Sequence, residues 1–392
     1  MIRHGVSDPV HKWIPFTPSE KNLIDSPLFQ RLRNIKQMTL NHMVFPGATN
    51  TRFDHSLGVA HVATIYAKTL QSKYPQLLSD SWVQNVRIAG LLHDIAHGPF
   101  SHAYDDFVYS KMYKSEKGHD EHRMKIITTQ NMRTLIWGTG AEIDIIRKIW
   151  TGEDIIGGAI LQGPLGADRI DFLLRDAHFT GVHSFSDYDR IIHNVQLNAN
   201  QDRLAYPAKI MNQIESFLVG RYWMYEGVYL HKTVMSCYVV LRSIFEKIVE
   251  PLNLISRTND IEGAFLDMTE EGILIESTKF APIEVMNLQR RILPKLIATE
   301  EHEHENVVVT SKPIHTLDQP KFDKYQIKIV DRFNHEFNAY EYLKKYSVIK
   351  DKITVKSFIR DPYVDMVNAG LGCFGGLEGF GVFEHEPGGA TM

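Results

Sequence analysis

The chain has 392 residues, 43% hydrophobic and 23% charged, enough apolar material for one large core or two unequal ones. A formal net charge of −4 argues against general nucleic-acid binding, and two distant cysteines, Cys237 and Cys373, indicate neither a disulfide framework nor a thiolate zinc site. No apolar run is long enough to span a bilayer and Met1-Ile2-Arg3-His4 lacks a signal-peptide core, so a reducing cytoplasm is the expected location.

From Pro18 to about Ile255 the apolar spacing is helical. Apolar side chains recur at three and four positions in Val59–Leu70, Trp82–His93, Ile143–Trp150, Ala167–Ala177 and Ile214–Ile248. Turn signals separate them at Phe45-Pro46-Gly47, Gly98-Pro99, Gly138-Thr139-Gly140 and Gly163-Pro164-Leu165-Gly166. After Glu300 the character changes. The acidic run Glu300–Glu305 precedes β-branched stretches at Val307–Thr310, Tyr325–Val330 and Ile353–Phe358, with a helical segment at Phe337–Tyr346. The expected fold is mainly α: a helical catalytic core over residues 1–255 and a smaller α+β lobe over 256–369. The tail, 370–392, is glycine-rich and reads as loop or disorder.

Four segments concentrate chemistry: Thr51–Gly58, Leu91–His102, Gly118–His122 and Ala167–Asp176. In the second, the pair His93-Asp94 ends an apolar run, and ionisable groups there are costly to bury without a partner. Imidazole beside carboxylate suits a hard or borderline divalent cation, and His97, one helical turn on, remains available for proton transfer. On the last segment Asp168, Phe172 and Asp176 stand at i, i+4 and i+8 and share a face. Structural readings stand beside these. Asp168 can cap the helix opening after Gly166, His119 and His122 can decorate an exposed helix start, and Asp25-Ser26-Pro27 can be a capped helix start. Arg221, Tyr225 and Tyr229 repeat every four residues and can form an aromatic core stripe with one snorkelling arginine.

The order His55, His93-Asp94, Asp168 resembles the HD-domain metallohydrolases. Ser7–His11, Phe29–Gln37, Val44–Ala48 and Thr51–Val59 resemble, more closely, the deoxynucleoside triphosphate (dNTP) triphosphohydrolase branch, which includes the vertebrate enzyme with a sterile-alpha-motif domain and bacterial relatives. The resemblance is dense from about Val6 to Arg190, returns at Arg221–Lys232 and thins after Glu250. It implies that His55, His93, Asp94 and Asp168 hold one divalent metal per site, with Mg, Mn, Fe and Zn all compatible with the ligand types, and further Mg arriving with the nucleotide. It places His97, His102, Asp105 and His119 around the reacting phosphate, Asp105 and His119 as a hydrogen-bonded pair, with His97 or His102 the expected proton donor. Arg52, Arg169 and Arg221 fall where the family grips the triphosphate, Arg169 replacing a frequent lysine and Phe172 a frequent tyrosine. Gln37, Asp176 and Tyr229 match deoxyribose contacts, with Tyr225 on the same helix face. Asp25, Gln30 and Arg33 match a guanine-recognising effector pocket, and Val44, Phe45 and Arg190 its neighbour. The implied activity is hydrolysis of dNTP to deoxynucleoside and inorganic triphosphate, with dGTP or GTP as effector and an even-order homo-oligomer, dimer or tetramer. No membrane or nucleic-acid partner is indicated. The alternatives are another HD phosphohydrolase, a nucleotidase or a phosphodiesterase with a second metal at His119 or His122, and a nucleotide-sensing or single-strand-binding scaffold.

Overall fold

The computed structural model describes residues 4–113, 118–182 and 187–298, with four short strands at 307–309, 328–330, 336–338 and 382–384. The fold is mainly helical, as the apolar spacing predicts. It opens on an antiparallel hairpin, β1 (His4–Asp8) and β2 (Lys12–Phe16), with Val6 paired to Ile14. Asp8 closes the turn: its Oδ1 accepts from the amides of Val10 and His11 at 2.9 and 2.7 Å. Helix α1 (Pro18–Ile24) begins at a Thr17/Glu20 capping box and ends at Asp25. Helix α2 (Pro27–Gln30) begins with Ser26 as N-cap and Pro27 at its first position, the capped start that Asp25-Ser26-Pro27 suggests.

Three helices frame the site. Helix α3 (Arg52–Lys73) starts at a second capping box, in which Thr51 N donates to Asp54 Oδ2 at 3.0 Å, so Arg52 and His55 both lie in its first turn. Helix α4 (Asp80–Leu92) packs closely on α3: a Cβ at Gly90 would lie 3.3 Å from Ala60 Cα. After α4 come α5 (His102–Tyr104), a π-helical turn at Asp105–Tyr109, α6 (Ser110–Tyr113) and α7 (Gly118–Ile127). Helices α8 (Gln130–Gly138), α9 (Ile143–Thr151) and α10 (Ile155–Gln162) lead to α11 (Ala167–Thr180), which packs on α3 and stops at Gly181 in the left-handed region. Helix α12 is Tyr188–His193.

Two expectations about elements change. The run read as one helix from Ile214 to Ile248 is interrupted: α13 (Met211–Met224) widens into a π turn at Tyr225–Tyr229, and α14 (Lys232–Ile248) restarts after His231, whose Nδ1 accepts from Thr233 N. The apolar core also continues past residue 255. Leu254 of α15 (Leu254–Asn259), Ile273 of α16 (Glu270–Ser277), and Val285 and Leu288 of α17 (Pro282–Gln289) join the same cluster as α3 and α4.

Strands β3 (Gln196–Leu197), β4 (Leu204–Pro207), β5 (Lys295–Ala298), β6 (Val307–Val309), β7 (Lys328–Val330), β8 (Glu336–Asn338) and β9 (Val382–Glu384) form two small sheets, ordered β3-β4-β7-β8 and β5-β9-β6. Only β4 and β7 run parallel among these pairs. Phe337, expected to open a helix, therefore lies in a strand, and three residues of the tail read as loop or disorder are a strand between β5 and β6. Pairing with partners remote in sequence overrides weak local preference. Ile353–Phe358 and the rest of the tail lie outside the described residues.

Candidate metal centre and active site

The first turn of α3, the end of α4 and the start of α11 bring four side chains together. His55 Nε2 lies 3.2 Å from Asp168 Oδ1 and 3.1 Å from His93 Nε2; Asp94 Oδ1 is 3.3 Å from His93 Nε2. The ligand atoms of His55, His93 and Asp168 all fall within 4.8 Å of one another. Asp168 is not the cap its position allows: Gly166 is the N-cap of α11, and Asp168 turns its carboxylate to His55 from inside the first turn. The outer ring nitrogens are committed, His55 Nδ1 donating to Asp171 Oδ2 and His93 Nδ1 to Gly90 O, both at 2.7 Å. Both Nε2 atoms are thereby left for the centre, the arrangement a metal-binding histidine needs. Two imidazoles and two carboxylates fit a hard or borderline divalent cation. The field agrees. Burial opposes charge on His55, yet hydrogen bonds to Asp168 and Asp171 and the fields of Asp171 and Asp94 push it up to about 10. Burial likewise opposes ionised Asp94, but Arg52, His93 and His97 hold it well below the usual carboxylate range. His93, by contrast, is lowered, chiefly by burial.

Beside it lies a second imidazole cluster. His97 Nε2 is 3.3 Å from Asp94 Oδ1, and its ring stacks on His119 with centroids 4.2 Å apart. Asp105 joins the expected pair: its Oδ1 accepts from His119 Nδ1 at 2.8 Å, and its Oδ2 lies 3.2 Å from His102 Nδ1. These imidazoles are not electrostatically equivalent. Burial, then Arg52, drives His97 well below the ordinary imidazole value, and burial takes His102 to about 4 despite Asp105. Burial also opposes charge on His119, but Asp105 outweighs it and raises the group. Of these three imidazoles only His119 is shifted upward, by the Asp105 carboxylate; His97 and His102 are shifted downward by burial. His119 and His122 do not decorate an exposed helix start. His122 is fully buried, bonded through Nδ1 to Tyr113 Oη at 2.7 Å, and sits apart from the cluster against Tyr109 and Phe265.

Farther along α11, Asp176 accepts from Asn50 Nδ2 at 2.9 Å and from Tyr229 Oη at 2.8 Å. Burial outweighs both bonds and raises it to about 6. Phe172 and Tyr229 approach edge to face, as do Tyr225 and Tyr229 with centroids 5.0 Å apart, and Arg221 lies over the Tyr225 ring, so these side chains share a side despite the π turn. Arg52 donates from Nη1 to Asp94 and from Nε to Ser101 Oγ; its Nη2 is buried with no partner among the described residues, as are Gln37 Oε1, Asn50 Oδ1 and His97 Nδ1. Arg169 donates from Nη1 to the carbonyls of Gln162 and Gly163, tying α11 to the end of α10.

The residues matched to an effector pocket lie at the surface around α2. Gln30 Nε2 donates to Ile24 O, Arg33 Nε to Gln30 Oε1, and the Arg33 guanidinium covers the Phe53 ring at 3.5 Å. Asp25 is exposed and paired with Lys21. Phe45 packs on His231, Val44 is half-buried, and Arg190 is exposed on α12.

Sequence reasoning assigned no role to several residues that build the site. Asp171 binds His55 and is clamped by His11 and Arg175; Asn50 faces Asp176; Ser101 receives Arg52. Phe100 and Ser101 both have positive φ, 65° and 50°, in the loop between α4 and α5 that presents Ser101 Oγ to Arg52. Arg31 donates to the carbonyls of Ile95 and His97 and so fixes the loop that carries His93, Asp94 and His97. The i, i+3 and i, i+4 spacings of Asp168, Asp171 and Arg175 were the available signal for the first of these.

An HD-domain family model matches residues 52–147. A putative HD domain-containing protein of Acanthamoeba polyphaga mimivirus is 32% identical over 292 residues, covering 69% of this chain and 63% of the relative. The mouse deoxynucleoside triphosphate triphosphohydrolase SAMHD1 is 33% identical over 220 residues, 47% of this chain and 33% of that protein. The chain thus aligns with less than two thirds of the length of these relatives. Among solved structures, a phosphohydrolase from Bacteroides thetaiotaomicron superposes with a TM-score of 0.74 at 25% identity, covering 87% of this chain and 94% of its own.

Proposed function

The chain belongs to the HD-domain, dNTPase-like family, and on that premise we propose that it is a metal-dependent dNTP triphosphohydrolase. The observation that carries this reading is the juxtaposition of the His55/His93/Asp94/Asp168 centre with the His97/His102/Asp105/His119 cluster and, along the same helix, the Asn50/Asp176/Tyr229 pocket. His55, His93, Asp94 and Asp168 would hold a divalent cation, which would supply Lewis acidity toward a phosphoryl oxygen and lower the pKa of bound water. Water attacks the α-phosphorus, the bond from that phosphorus to O5′ breaks, and O5′ takes a proton to leave as the deoxynucleoside, with inorganic triphosphate as the other product. His119, bonded to Asp105 and raised by it, is the donor this arrangement favours, with His97 stacked against it. Arg52, through its uncommitted Nη2, offsets charge on the phosphate chain, with Arg169 and Arg221 as further cations. Gln37, Asp176 and Tyr229 bind the sugar, beside Phe172 and Tyr225, and the Tyr229 ring disfavours a 2′-hydroxyl.

The test is incubation with each dNTP and NTP, with Mg or Mn, and with or without dGTP or GTP, followed by product identification. Deoxynucleoside plus triphosphate is the expected result, and monophosphate plus pyrophosphate would move the bond being cut. Dependence on dGTP, with assembly into an even-order oligomer, is the expected behaviour if Asp25, Gln30, Arg33, Val44, Phe45 and Arg190 form the effector surface. A second reading, a two-cation HD phosphohydrolase, is favoured by one observation: ligand atoms of His97, Asp105 and His119 also lie within 4.8 Å of one another. Two metal ions per chain, with cleavage of a phosphodiester, would support it.

A further inference from the structure

Asp171 is fully buried, and each of its oxygens accepts two hydrogen bonds. Oδ2 accepts from His55 Nδ1 at 2.7 Å and Arg175 Nε at 2.9 Å; Oδ1 accepts from His11 Nε2 at 2.6 Å and Arg175 Nη2 at 2.9 Å. Arg175 is itself fully buried and donates from Nη1 to Asp8 Oδ2 at 2.7 Å, and Asp8 in turn holds the turn that carries His11. Space for this carboxylate exists only because residue 58 has no side chain: a Cβ there would lie 1.8 Å from Asp171 Oδ1 and 2.5 Å from Arg175 Nη2. A continuous chain of charge-assisted bonds therefore runs from the β1–β2 hairpin to the ring of a metal ligand. A carboxylate that fixes the tautomer and plane of a histidine raises its strength as a ligand.

We infer that Asp171 is the positioning residue of the metal centre, and that through Arg175, Asp8 and His11 it makes cation binding at His55 depend on the docked N-terminal hairpin. The inference rests on the metal-centre reading of His55, His93, Asp94 and Asp168, and is independent of which phosphate ester is cleaved. Linkage requires the dependence to run both ways: a hairpin that strengthens cation binding is itself held down by the cation.

The test titrates Mn²⁺ and Zn²⁺, each alone, into the chelator-stripped full chain and into its folded Asp171→Asn and Asp8→Asn variants. Hydrogen exchange of residues 4–16 is followed with and without the ion. Asp171→Asn is expected to weaken binding by about 10–100-fold. Asp8→Asn, which touches no ligand, is expected to weaken it by about 5-fold or more, and added ion to slow exchange of the wild-type hairpin by a similar factor. Unchanged affinity in both variants, with hairpin exchange indifferent to the ion, would overturn the inference while leaving the metal centre intact. Should Asp171→Asn not fold, Asp8→Asn and the wild-type exchange decide. Wild-type protein that takes up neither ion overturns the metal-centre reading and this inference with it.

Discussion

His119 and Asp176 are the side chains whose surroundings most directly forecast behaviour. His119 is raised by Asp105 against burial, so its protonated form persists to higher pH than an ordinary imidazole, and a reaction needing that proton declines as pH rises through the raised value. His119→Ala is expected to lower kcat by about 10²–10⁴-fold. Asp105→Asn removes the cause of the shift, so the alkaline limb of the pH–rate profile should move to lower pH; an unmoved limb would exclude His119 as the donor. Asp176, raised by burial to about 6, loses its negative charge below that value. If the carboxylate accepts from a sugar hydroxyl, KM for dNTP rises as pH falls through about 6, and Asp176→Asn flattens that dependence. Of the four metal-ligand candidates, His93 and Asp94 were legible in sequence because ionisable groups ending an apolar run are costly to bury unpaired, whereas His55 and Asp168 were picked out by resemblance to the HD-domain family. Asp171 was not. It lies three residues after Asp168 on the same helix, yet it bonds the Nδ1 side of His55 while Asp168 faces Nε2, a difference that the spacing alone suggests but does not assign.

At the scale of elements, helix starts set the ligand geometry. The Thr51/Asp54 capping box fixes the first turn of α3, where Arg52 and His55 reside. Thr51→Ala is expected to cost about 1 kcal/mol, a typical loss for an N-cap, measurable by urea unfolding. Cation affinity should fall with it, because the same turn aims His55. Helix α11 shows what periodicity read correctly: Asp168, Phe172 and Asp176 do occupy one stripe, facing His55, Tyr229 and Asn50 in turn. What periodicity could not read was the break between α13 and α14. Apolar residues continue through Tyr225–Tyr229 with nearly helical spacing, and a π turn consumes one extra residue without changing the composition.

At the scale of the molecule, a single apolar cluster joins α3 and α4 to α15, α16 and α17, so the segment after residue 255 supports the site's scaffold. Phe265, fully buried under the Arg31 guanidinium at 4.0 Å, is the link to the loop that carries His97. Phe265→Ala should destabilise the fold by about 3–5 kcal/mol, read from the urea midpoint. Stripping the cation with a chelator should lower Tm, since an ion present at 100 times its Kd adds about 2.7 kcal/mol. Among the described residues no helix is long and apolar enough to cross a membrane.

By itself the sequence determined the helical class and the stripe on α11, because helical periodicity is a local property written in residue type and spacing, and it pointed to His93-Asp94 through burial cost; His55 and Asp168 joined that pair only through resemblance to the HD-domain family. The tertiary structure alone decided which imidazole Asp105 raises, that Asp171 bonds His55, and that His11 and Asp8 pair with Asp171 and Arg175 across more than 150 positions of chain. Those outcomes depend on distances between segments remote in sequence, and on the low-dielectric interior that only packing creates.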